Sequence, residues 1–85
     1  MNTISHATEP RWTAPVAIRI GARPCEHIHG PAEAVDYLEH RWPIQNSMHL
    51  EAAKRRCVEA MNYLAHLEAS RDAFVAAAVE AEVLA

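Results

Sequence analysis

Eighty-five residues, 51% of them hydrophobic, suffice for one small domain and are too apolar for a disordered chain. The formal charge of -3 gives no electrostatic reason to seek a polyanion, and no apolar run approaches the about 20 residues that cross a bilayer. The opening MNTISHATEP has no apolar core or cleavage signal of a secretory leader, so a cytoplasmic protein with reduced cysteines is expected.

Residues 1–11 read as a flexible tail and residues 12–85 as a single domain. Val16, Ile18 and Ile20 alternate with Ala17 and Arg19, the period of a half-buried strand over residues 16–20. Gly21 to Pro24 supply turn material, and residues 25–29 make a second strand. Gly30 and Pro31 then open a helix over about 31–42, with Glu33 in the first turn, where the helix dipole favours a carboxylate. Ala34, Val35, Leu38 and Trp42 form its apolar stripe, and Pro43 stops it.

Ser47 is a cap for a second helix, about 47–65, in which Leu50, Ala53, Cys57, Ala60, Met61 and Leu64 recur at offsets of three and four as a core-facing stripe. Neither glycine nor proline occurs from residue 47 onward. Ser70 nevertheless offers a new cap and Phe74 restarts the stripe, so a break near residues 65–69 is expected, with a third helix over about 69–84. The fold class is therefore α+β, an N-terminal two-stranded antiparallel hairpin packed on three helices.

Chemistry is concentrated in CEHIHG, where Cys25, His27 and His29 share one face of the second strand. Hairpin register decides which face that is. Pairing Ile20 with Cys25 would bury the imidazoles beside Ile18; a loop one residue longer or shorter places Ile28 with Val16 and Ile18 and turns Cys25, His27 and His29 outward. The second register is preferred, because burying an unsatisfied imidazole costs roughly 1–3 kcal/mol while burying Ile28 gains a comparable amount. Outward His27 and His29 are a legitimate start to a zinc site. Cys25 and His29 lie too far apart along a strand to converge on one ion, so further ligands would have to come from His6 or a second subunit, and no metal or other cofactor is expected.

Lys54, Arg55 and Arg56 fan around their helix, with Glu51 placed to support Arg55 at i,i+4, and read as a solvated face rather than a nucleic-acid surface. Cys57 lies in an apolar stripe and reads as a packing residue rather than a nucleophile; Trp12 and Trp42 read as core anchors. His40, His49 and His66 are scattered singly.

In chain order, Trp12 with Pro15 and Val16, then Glu33-Ala34, Leu38 and Trp42-Pro43, then Ala53, Cys57 and Ala60, then Arg71-Asp72-Ala73-Phe74 and Ala77-Ala78 make up a pattern. It resembles the bacterial family of small proteins named domain of unknown function 982, from about Trp12 to Ala81. The resemblance implies an α+β fold, hairpin first and helices after, and brings no activity or catalytic residues with it. Ala65-His66 stand where that family usually has a glycine between the last two helices.

On a helical wheel the last segment is apolar twice over. Phe74, Ala77, Ala78, Ala81 and Leu84 form one face, while Ala76, Val79 and Val83 lie on the opposite arc. That second arc is the expected interface with a twin subunit or another protein. The functional expectation is a non-catalytic, self-associating interaction module. The alternatives are a metal-binding protein using His27 and His29 or, less favoured, a nucleic-acid-binding module.

Overall fold

The computed structural model describes residues 9–85. Two strands, β1 (Val16–Ile18) and β2 (Glu26–Ile28), form an antiparallel hairpin in which Val16 faces Ile28, Ala17 faces His27 and Ile18 faces Glu26. This is the outward-histidine register: Ile18 and Ile28 are buried, whereas His27 is exposed and His29 only half-buried. The strands are shorter than the sequence pattern suggests. Gly21 adopts φ +60° and Arg23 N–H closes a turn on the Ile20 carbonyl, while Pro24 has no N–H to offer the ladder.

Helix α1 spans Pro31–His40. Its Glu33 carboxylate reaches back to accept the His29 N–H at 2.7 Å, which holds the strand-to-helix junction, and Trp12 N–H donates to the His29 carbonyl on the same side. Gly30 is extended, a conformation open to any residue, so its lack of a side chain answers a different need. The Pro10 carbonyl oxygen occupies the place where a Cβ would stand. Residues 1–8 of the expected tail lie outside the described residues, and Pro10 and Arg11 pack against Gly30. Trp42 falls just beyond α1, yet its ring is buried as expected.

Helix α2 runs Met48–Asn62 and is capped as its sequence suggests, Ser47 Oγ accepting from His49 N–H at 3.1 Å and Leu50 N–H at 3.2 Å. Leu50, Ala53, Cys57 and Ala60 line its buried face. The stripe ends there. Asn62 Nδ2 donates to the Val58 carbonyl at 3.1 Å, Tyr63 swings to an extended conformation, and a 3-10 turn, Leu64–His66, leads straight into α3 (Leu67–Glu80). Leu64, expected in the core, is consequently exposed to 70%, and Met61, expected there too but standing in the last turn of the helix, is exposed as well.

Ser70 is likewise not a cap. It sits within the first turns of α3, fully buried, where Ser70 Oγ accepts from Trp12 Nε1 at 3.0 Å and donates to the Leu67 carbonyl at 2.6 Å. One turn further on, Phe74 fills the centre of the core between Trp12 and Trp42, with ring centroids 5.6 and 5.5 Å away. Arg71 Nε donates to the Ala14 carbonyl at 2.8 Å and so ties α3 to the approach to β1.

The C-terminal segment departs most from the sequence pattern. Rather than continuing to residue 84, α3 stops at Glu80 in a Schellman motif: Val83 N–H bonds the Ala78 carbonyl, Glu82 N–H bonds the Val79 carbonyl, and Glu82 takes φ +60°. The turn sends residues 83–85 along the free edge of β1. There Arg19 N–H donates to the Val83 carbonyl at 2.7 Å, Ala85 N–H donates to the Ala17 carbonyl at 3.0 Å, and Leu84 bridges Ile18. The hairpin thus gains a third, short partner.

Candidate functional site

The outward register decides the fate of the strand histidines. Cys25 and His27 are exposed, and His29 is anchored through its backbone to Glu33 and Trp12. Among the described residues no three His, Cys, Asp or Glu side chains are grouped so as to hold a metal ion, and His6 lies outside them.

Cys57 is buried against α3, its Sγ 4.0 Å from the Ser70 carbonyl. Burial alone pushes its thiol up to about 12, which keeps it protonated and poorly nucleophilic at neutral pH. Tyr37 is also shifted upward, first by desolvation and then by hydrogen bonding to Glu26. Arg41 lies over the Tyr37 ring at 4.5 Å and 3.7 Å from the Glu26 carboxylate. These three side chains latch the end of α1 to β2. The ion pair is partly exposed and worth little by itself.

On α2 the charges pair differently from the expected i,i+4 scheme. Glu51 contacts Lys54 at 3.6 Å and Arg56 contacts Glu59 at 3.5 Å, both one turn apart. Arg55 itself makes no ion pair among the described residues, although Glu51 and Glu59 flank it at i-4 and i+4. Two shallow, open depressions lie end to end on this outer face, and both are lined by Glu51 and Arg55.

Exposed apolar side chains cluster on the same helix and its end. Met48 is 86% exposed at the N-terminus of α2, and Val58, Met61, Tyr63 and Leu64 are exposed at the other end. The arc expected to form the interface is smaller than the helical wheel suggested. Val79 is exposed and Ala76 half-buried, but Val83 is 4% exposed, inside the chain's own core, because the helix ends before it and the left-handed turn at Glu82 reverses its direction. Sequence reasoning assigned the exposed Met61 and Leu64 to the core stripe; for Leu64 the signal available was Asn62, where the helix ends two residues earlier.

Hairpin, helices and shared core define a small α+β domain whose described helices are all too short or too polar to cross a membrane. Residues 14–85 match the family model described as "Protein of unknown function (DUF982)", and the chain belongs to that family. No curated protein and no solved structure matches the chain.

Proposed function

We propose that this protein is a non-catalytic interaction module that associates with itself. The supporting observation is α2 and the turn after it, where Met48 and Val58 on the outer side and Met61, Tyr63 and Leu64 at the far end leave apolar surface in water. A small monomer gains nothing from holding those side chains in solvent, whereas a second chain removes them from it. The two thiols, Cys25 and Cys57, are both free and suit a reducing compartment such as the cytoplasm.

Sedimentation equilibrium over a range of concentrations tests this reading. The 9.5 kDa chain should shift toward twice that mass as concentration rises through the micromolar range. A protein that stays monomeric at high micromolar concentration overturns self-association.

A further inference from the structure

The outer face of α2 carries a pattern that is complementary to its own reverse. Residues in an α-helix advance by about 100° and about 1.5 Å, so Met48, Glu51, Arg55 and Val58 fall within an arc of about 80°, across the helix from the buried Leu50, Ala53, Cys57 and Ala60. Read along the axis, they run apolar, acidic, basic, apolar. Met48 and Val58 each lie five residues from Ala53, and Glu51 and Arg55 each lie two residues from it. One twofold axis at the level of Ala53 therefore brings both pairs together at once.

Resting on the self-association reading, we infer that a second copy of this chain packs antiparallel along α2. Glu51 meets Arg55 of the partner subunit and Met48 meets Val58 of the partner subunit, and symmetry makes each contact twice. The contact gives Arg55 an ion pair, which it does not make among the described residues of its own chain. It seats the partner's Met48 in the depression between Glu51, Lys54, Arg55, Val58 and Glu59. An unrelated partner would not require the acid and base to be equidistant from the same residue as the two apolar side chains.

The experiment uses two charge reversals at exposed positions, Arg55→Glu and Glu51→Arg, with circular dichroism checking that each variant keeps its helix content. Each reversal alone places like charges opposite one another across the axis and should raise the dimer dissociation constant by about tenfold or more at low salt. Mixing the two variants should restore dimers, because in the mixed pair one copy is basic at both positions and the other acidic at both. Met48→Ser, at a solvated position, should also weaken the dimer. A monomeric wild type overturns the self-association reading itself. A dimeric wild type that neither reversal weakens leaves self-association standing and overturns this contact. Variants that dissociate but do not recover on mixing overturn the antiparallel register and indicate a different occupant of the same face.

Discussion

Trp12 Nε1 donates a 3.0 Å hydrogen bond to Ser70 Oγ inside the core, joining the segment before β1 to the first turns of α3 across 58 positions of chain. Ser70 Oγ in turn donates a hydrogen bond to the Leu67 carbonyl at 2.6 Å, so the indole, the hydroxyl and the helix backbone form one satisfied line. Buried polar atoms of this kind are more costly to orphan than to create.

Ser70→Ala should therefore destabilise the domain by about 1–3 kcal/mol, since Trp12 Nε1 is left buried without an acceptor. The penalty should shrink when Trp12→Phe is made in the same chain, because the orphaned donor is then gone. Urea denaturation of the two single variants and the double variant measures the coupling. Strictly additive losses would show that the hydrogen bond contributes nothing.

Glu82 holds φ +60° at the residue after the α3 cap, where glycine is the usual occupant. Glu82→Gly should raise stability by about 1 kcal/mol, visible as a melting temperature higher by about 4–8 °C for a domain of this size. The neighbouring Val83 is core, so Val83→Ala should cost about 1.5–3 kcal/mol, whereas Val79→Ala on the exposed side of α3 should stay within about 0.5 kcal/mol of wild type. Equal losses at the two valines would mean that the helix continues past Glu80.

The two thiols should separate cleanly under alkylation. In the native protein at mildly alkaline pH, Cys25 is exposed and reacts, while Cys57 reacts only after denaturation; mass spectrometry counts the adducts. The shift at Cys57 also sets a pH limit. Its folded value is raised from 9.0 to about 12, so the neutral buried thiol contributes fully below pH 9. That contribution is lost as pH rises toward 12, by up to about 1.4 kcal/mol per pH unit. Tyr37, shifted in the same direction, acts in the same sense. Cys57→Ala should flatten the alkaline decline in stability relative to wild type.

Gly30→Ala tests the close approach of the N-terminal segment. The added methyl group would overlap the Pro10 carbonyl oxygen, and because backbone rather than a pliable side chain stands in the way, residues 9–12 must shift. A loss of about 1–3 kcal/mol is expected, with a change in tryptophan fluorescence as Trp12 moves. Unchanged stability would show that this segment does not pack on Gly30.

Local pattern was enough for several of these features. Alternation in residues 16–20 and the isolated Ile28 selected the register with outward histidines, because only that parity buries three branched apolar side chains on one face. Ser47 and the Gly30-Pro31 junction announced their helices through capping chemistry that acts within three or four residues. The Cys57 stripe was legible for the same reason: its partners lie within one or two helical turns.

What the pattern misplaced was decided across the chain. Ser70 looks like a cap because serine serves that role locally, but a buried indole 58 positions away claims its hydroxyl. Leu64 continues a stripe whose helix has ended and Met61 stands in its last turn, both exposed, so part of the apolar surface behind the proposed self-association was hidden among expected core residues. Val83 falls on the outer arc only if α3 continues. Backbone pairing of residues 83–85 with β1 supplies a reason to stop that no glycine or proline announces, and the energy of that pairing is absent until the two ends of the chain meet.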